Sequence, residues 1–306
     1  MSSDEIYDNN ENNLNLFSKI LTVIILVCIC TLGVIGNLVV LIVAFRKRKY
    51  RHVTNCYIIN LAITDLLFLL ISVPLTAYLG LTNKWILNGF VSCRVHIYLA
   101  HVLLQATCYT LAAMSIDRYF YVASCLIKPP WRTPLNACII CVLIWAVSIA
   151  FVFPYTSLTS NTEGDINNCS VSAYHPFFAS CFFPFCAYYV LPLIIIALCY
   201  TKLFLFMRNS SKKMFRRRLS LLNRPHIVAR RRRITRTLLS LTFAFAICWL
   251  PIHTLEFLNC RQLLDEFYFR HSTLLDIFRL IAHALSYFNS CLNPFLYALF
   301  NKDFFR

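Results

Sequence analysis

The sequence predicts an all-α membrane protein, a bundle of seven transmembrane helices. Three observations predict it. The chain of 306 residues is 59% hydrophobic and only 14% charged, with a mean hydropathy of +0.64, where a soluble domain carries about a quarter charged residues. The apolar residues fall in seven blocks, at 20–45, 56–80, 95–122, 136–156, 179–207, 234–258 and 274–300, and a membrane-crossing helix needs about 20 residues. Basic residues gather in every second connection between the blocks. A soluble helical protein is excluded, because so few polar residues cannot cover seven such blocks.

The first block is rich in β-branched residues (LTVIILVCIC). A hydrocarbon core still makes it a helix, since no water is there to satisfy its backbone. It is not a cleavable signal peptide. It is too long, its leading flank is acidic (Asp4, Glu5, Asp8, Glu11) and a basic cluster follows it. Residues 1–18 are polar and Asn-rich, which predicts a disordered extracellular tail. Residues 19–300 form the membrane domain. The cluster Arg46-Lys47-Arg48-Lys49 with Arg51 places the first connection inside the cell and the N-terminus outside, at the plasma membrane.

The later connections agree. Lys128 and Arg132 follow block three, and a run from Arg208 to Arg236 with more than ten Lys and Arg follows block five. The connections near Lys84, Glu163/Asp165 and Arg261–Arg270 are mixed or acidic. The net charge of +16 therefore marks the cytoplasmic face and its attraction to anionic lipids, not a nucleic-acid site. Within the long basic connection, Arg217-Arg218-Leu219-Ser220 has the pattern of a basophilic kinase site. The one outward glycosylation pattern, at Asn168, overlaps a cysteine and is discounted.

Most of the 15 cysteines lie inside the apolar blocks, where Cys is a small hydrophobe. Cys93, Cys169 and Cys260 fall on the outer side. Cys93 and Cys169 can pair in an oxidising compartment, closing a loop of roughly 75 residues worth about 4 kcal/mol on the chain-entropy account. Cys260 has no evident partner.

Polar side chains inside the membrane are costly and are functional candidates. Here they are Asn37, Asp65, Thr107, Asn289, Ser290 and Asn293, with Asp65 the one formal charge among them. Hard oxygen donors of this kind suit a small cation such as sodium, with Asp65, Thr107, Asn289 and Asn293 as its holders; a packing cluster without an ion is the alternative. Prolines at 74, 154, 192, 251 and 294 each remove a backbone donor and bend their helices, opening a cavity and making hinges. Trp249 stands just before the bend at Pro251.

In order along the chain stand Gly36-Asn37, Leu61-Ala62-x-x-Asp65, Cys93, Asp117-Arg118-Tyr119, Trp145, Cys169, Pro192, Tyr200, Phe245-x-x-Cys248-Trp249-x-Pro251 and Asn293-Pro294-x-x-Tyr297. With these the chain resembles the class A (rhodopsin-like) G-protein-coupled receptors over nearly its whole length. Asn301–Arg306 resembles the start of a short amphipathic eighth helix. The resemblance implies a disulfide from Cys93 to Cys169. It implies that Arg118 is held by its neighbour Asp117 at rest. On activation the sixth helix swings outward and Arg118 packs toward Tyr200 and Tyr297 to meet a heterotrimeric G protein, with Leu126 inserting beside it. Two departures stand out: Arg230–Arg233 occupy the stretch where an acidic partner for Arg118 is common, which predicts raised basal activity, and Cys125 stands where Pro is common.

The residue types also narrow the ligand. Ala100 replaces the Asp of aminergic receptors, and Tyr287 replaces the retinal Lys of opsins. The stretches QATCYTLAAMSIDRY, CWLPIH and HALSYFNSCLNPFLY are similar to the galanin, allatostatin-A and kisspeptin receptor group, which implies an extracellular neuropeptide ligand. Somatostatin and opioid receptors share parts of these stretches but carry an Asp at the position of Ala100. The expected pocket lies between the outer halves of runs three, five, six and seven, with His101, Gln105, His253, Glu256, Arg279 and His283 inside and Trp85 at the rim. A lipid or other small ligand is the alternative. Arrestin, in this reading, would depend on Ser210, Ser211 and Ser220. No Ser/His/Asp set, His-x-x-x-His pair or Gly-rich phosphate loop argues for an enzyme, and a transporter would want more intramembrane charge than Asp65.

Overall fold

The computed structural model describes residues 3–82, 85, 90–123, 130–158, 182, 184–209, 225–260 and 265–300. Among them are seven long helices and no strand: α1 Ser3–Arg46, α2 Val53–Thr82, α3 Phe90–Ala123, α4 Pro134–Leu158, α5 Leu191–Asn209, α6 Pro225–Cys260 and α7 Asp265–Phe300. Six are long and apolar enough to cross a membrane. α7, with Asp276 and Arg279 in its outer half, is the more polar one. Buried apolar side chains of α1 to α7 form one continuous core, while the large apolar residues on the outward faces of the helices stay exposed. That inversion is what a lipid surround requires.

α3 sits in the middle, touching α2, α4, α5 and α6. α1 leans on α2 and α7 through two glycines. A Cβ on Gly33 would stand 2.5 Å from Leu69 Cδ1, and one on Gly36 would stand 3.0 Å from the Pro294 ring. Small residues let the backbones close in where no hydrophobic effect drives helices together.

Two stretches differ from the sequence expectation. The polar tail, expected to be disordered, continues α1 back to Ser3, so the helix has 44 residues. An apolar span already supplies the nucleus, and adding turns to an existing helix is inexpensive. Run five is not one regular helix. A π-helical stretch, Phe185–Val190, precedes α5, and the Leu191 N–H reaches back to the Cys186 carbonyl. Pro192 follows at once and has no N–H to continue the usual ladder, so the wider turn falls there. Pro74, Pro154, Pro251 and Pro294 lie inside α2, α4, α6 and α7 as expected. Leu126, Cys169, the serines of the long basic connection and Asn301–Arg306 lie outside the described residues.

Candidate functional site

At the outer end a cavity of about 300 Å³ opens between α2, α3, α6 and α7. Five expected residues line it: Trp85, His101, His253, Glu256 and His283. Trp85 is fixed by donating its Nε1–H to Ser92 Oγ at 2.8 Å, with its ring 5.3 Å from that of His96. Glu256 is the one carboxylate in the lining, and its side chain is 56% exposed. Its Oε2 lies 3.7 Å from His253 Nδ1, one turn earlier. Ala100 faces the cavity too, so the place where an aminergic counter-charge would stand is apolar here.

The outer half of run five stands where it is expected, as its π stretch behind the lining: Tyr188 packs on His101 with centroids 5.6 Å apart, and Tyr189 on His253 at 5.1 Å. Two expected residues, Gln105 and Arg279, are not among the lining. Gln105 lies one turn deeper than His101 and is 2% exposed. The cavity also takes in α2, through Phe68, Ser72 and Thr76, and α7's Tyr287. Thr76 and Tyr287 share a hydrogen bond of 2.7 Å. Ser72 and Thr76 stand four apart on one helix face, polar residues in an apolar block. The rule that singled out Asp65 would have found them.

Trp249 lies at the floor. Its ring stacks on His253 at 5.7 Å and packs against Phe245 at 6.2 Å and Phe68 at 5.7 Å. Phe245, Trp249 and His253 repeat every four residues, so they form an aromatic column on the inner face of α6. Three buried polar atoms of cavity-lining residues have no hydrogen-bond partner: Ser72 Oγ, Trp249 Nε1 and His253 Nε2. Buried polar groups usually find partners, so these mark where water or a ligand belongs.

Below the cavity lies the polar nest. Asn293 Nδ2 donates to Asp65 Oδ2 at 2.6 Å. Asn37 donates to the carbonyls of Gly33 and Ser290 at 2.9 and 3.1 Å, tying α1 to α7. Thr107 donates to Thr64, the neighbour of Asp65, at 3.2 Å. Asp65 Oδ1 and Asn289 Oδ1 have no hydrogen-bond partner, although both residues are 1% exposed. No cluster of three His, Cys, Asp or Glu able to hold a metal occurs among the described residues. The nest gathers one carboxylate with amide and hydroxyl oxygens. Nearby, Asn60 joins three helices by donating to Thr110 at 2.8 Å and accepting from Trp145 at 2.9 Å.

The cytoplasmic end departs from the expected pairing. Asp117 is held by Arg132, not by Arg118. Arg132 Nε donates to Oδ1 at 2.8 Å and Nη2 to Oδ2 at 2.9 Å. Successive residues on a helix do not face each other, whereas a guanidinium arriving from outside can meet a carboxylate fork-on. Arg118, 1% exposed, instead donates Nε–H to Thr235 Oγ1 on α6 at 2.8 Å. Thr235 thus supplies an acceptor on α6 where no acidic residue stands. Tyr119 packs on Phe120 at 5.3 Å, Tyr200 lies half-buried on α5, and Tyr297 is fully buried on α7. Cys93 is in a disulfide.

The description "7 transmembrane receptor (rhodopsin family)" fits residues 36–297. The chain is 33% identical to galanin receptor 2b of Danio rerio over 292 residues, 94% of this chain and 73% of that protein. It is 31% identical to human galanin receptor type 2 over 282 residues, covering 89% and 67% of the two. A galanin-like G-protein coupled receptor of Caenorhabditis elegans is 31% identical over 313 residues, with coverage of 94% and 71%.

Proposed function

The chain belongs to the rhodopsin family of seven-transmembrane receptors, and from that premise we propose that it binds an extracellular peptide of galanin-like class and activates a heterotrimeric G protein. It is a receptor and not an enzyme. The observation that carries the reading is the outer cavity with its unpartnered polar floor. At about 300 Å³ it stands at the small end for ligand pockets, so it takes one or two residues of a peptide and leaves the rest on the rim. Glu256 offers a counter-charge to a cationic group, and the column of Trp249 and His253 offers stacking.

The same column links binding to switching. A group pressing on Trp249 acts two residues from Pro251, where α6 lacks a backbone hydrogen bond and bends readily. Thr235 lies about 21 Å further along α6 at 1.5 Å per residue. Outward movement of the inner half of α6 separates Thr235 from Arg118 and opens a cleft for the G protein. A ligand drives this only by as much as it prefers the open form. The basic residues 46–51 lie at the same end of the bundle as Arg118, which supports an extracellular N-terminus in the plasma membrane. Asp65 Oδ1 and Asn289 Oδ1, with Thr107 and Asn293 close by in the nest, support an allosteric sodium ion that favours the resting form.

The test is G-protein dissociation in cells expressing the chain, across galanin and other neuropeptides, with Arg118→Ala beside it. A saturable response that Arg118→Ala abolishes supports the reading and reports the coupling. No response to any peptide at confirmed surface expression overturns the peptide, leaving a lipid or small ligand for so compact a cavity.

A further inference from the structure

We propose that His253 and Glu256 form a proton-binding site in the outer cavity, and that its protonated form closes the cavity's carboxylate to a cationic ligand. The competition with a ligand rests on the peptide-receptor reading; the proton site itself does not.

The lining carries the case. Among the described residues it holds four imidazoles, His96, His101, His253 and His283, with one carboxylate, Glu256, and no Lys or Arg. With all four rings neutral the lining bears a single negative charge, and imidazoles change charge between about pH 5 and 8. His253 is the one placed to take the first proton. Its Nδ1 stands 3.7 Å from Glu256 Oε2, within reach of an ion pair but too long for a hydrogen bond. Its Nε2 has no partner. The ring stacks on Trp249 at 5.7 Å with the planes 29° apart, and it packs on Tyr189 at 5.1 Å. Aromatic faces within about 6 Å attract a cation. His253 is 3% exposed, so a charge on it needs these neighbours.

The groups on the surrounding elements are less suited. On α3, His101 Nδ1 is already bonded to the Ile97 carbonyl at 2.8 Å, and His96 lies against Trp85 at 5.3 Å. α7 brings His283 and the phenol of Tyr287, while its Arg279 is not in the lining. The π stretch brings the phenols of Tyr188 and Tyr189. α2 brings no titratable group. Once one imidazolium stands in so small a chamber it opposes the next, so the rings titrate as a coupled set. The first proton settles beside Glu256.

The sign follows. At neutral pH the carboxylate is open to a cationic group of the ligand. As the pH falls, His253 takes up a proton from the solvent, and its imidazolium pairs with Glu256. The cavity then has no net negative charge left for the ligand. A cationic ligand binds where the outer face meets neutral solvent and is released where that face meets acid.

Two measurements on the full chain test this. The first needs no ligand. Trp85→Phe removes the other indole that lies against an imidazole, and the emission of Trp249 is then followed from about pH 8 to about pH 5. An imidazolium quenches an excited indole stacked on it more than a neutral imidazole does, so the emission is expected to fall with the pH. The fall is expected to vanish in His253→Gln. In Glu256→Gln, which removes the counter-charge and keeps the ring, it is expected to move to lower pH. No fall, a fall that survives His253→Gln, or one that Glu256→Gln does not move overturns the proposal. Should His253→Gln fail to fold, Glu256→Gln, altered at an exposed carboxylate, decides alone.

The second measurement is binding of a labelled galanin peptide without histidine to washed membranes, so that no ligand imidazole titrates. Its affinity is expected to weaken about tenfold across the same range, the loss when about nine-tenths of the sites hold the His253–Glu256 pair. In Glu256→Gln the ratio of the two affinities is expected to fall to about one. An affinity that does not change with pH in the unaltered chain overturns the competition. If the peptide binds at neither pH, the function reading fails, while the emission of Trp249 still decides the proton site.

Discussion

The outer cavity and the cytoplasmic cluster are built from the same chemistry, cationic or imidazole side chains around a single carboxylate, yet the two carboxylates are used in opposite ways. Around Glu256 the carboxylate is more than half exposed, and Ser72 Oγ, Trp249 Nε1 and His253 Nε2 have no partner. Around Asp117 both oxygens are taken at 2.8 and 2.9 Å and the pair is buried. A buried polar group left unmade costs about 1–3 kcal/mol, whereas a made one contributes only about 1. The outer carboxylate is therefore open to a ligand, and the inner one has already spent both oxygens on one partner. A binding site and a latch differ less in residue types than in which hydrogen bonds are left open.

Four substitutions break or sharpen that contrast, in falling order of effect. Arg118→Ala at the inner end is expected to abolish ligand-driven G-protein activation, read as dissociation in cells, while leaving peptide binding to washed membranes in place. A variant that still signals would remove the inner cluster from the switch. Glu256→Gln at the outer end is expected to weaken a cationic peptide by about 2 kcal/mol or roughly 30-fold, the cost of truncating one partner of a desolvated charge pair. Because the carboxylate is exposed in the empty receptor, surface expression should not change. Trp145→Phe removes the satisfied Nε1 donor to Asn60 and is expected to cost about 1 kcal/mol of stability in a thermal-unfolding assay. Ser72→Ala deletes a hydroxyl that bonds to nothing, and should leave the melting point of the empty receptor within about 0.5 kcal/mol. A large loss for Ser72→Ala, equal to that of Trp145→Phe, would mean that the cavity floor is closed after all and would erase the contrast.

The bundle was legible in the sequence because its cause is one-dimensional. Seven apolar blocks and the alternation of basic connections need no knowledge of packing. The intramembrane polar residues were legible by the same rule of cost, and Asp65 with Asn293 did meet. The pocket was harder. Run five stands at the expected side, but through a wide turn ahead of Pro192 that packs Tyr188 and Tyr189 on His101 and His253. No periodicity in the sequence records a surplus residue in one turn. The pairing of Asp117 was misjudged for a related reason. Adjacency in sequence suggested Arg118, but two successive helix positions point about 100° apart, and the partner came from a segment fifteen residues away. Sequence adjacency predicts contact well for residues three or four apart and badly for neighbours.

The π stretch Phe185–Val190 has one more consequence. A helix behaves as a screw, and one surplus residue in a single turn dials everything beyond it around the axis by about 100°. Removing one residue there would leave the thread from Leu191 inward seated in its place, while the outer end, with Phe185 and the chain leading to it, rotated to a new bearing. A single codon lost at that point is therefore a rotation and not a shortening. It can re-aim the wall of the ligand chamber while the membrane-embedded half of the helix stays as it was.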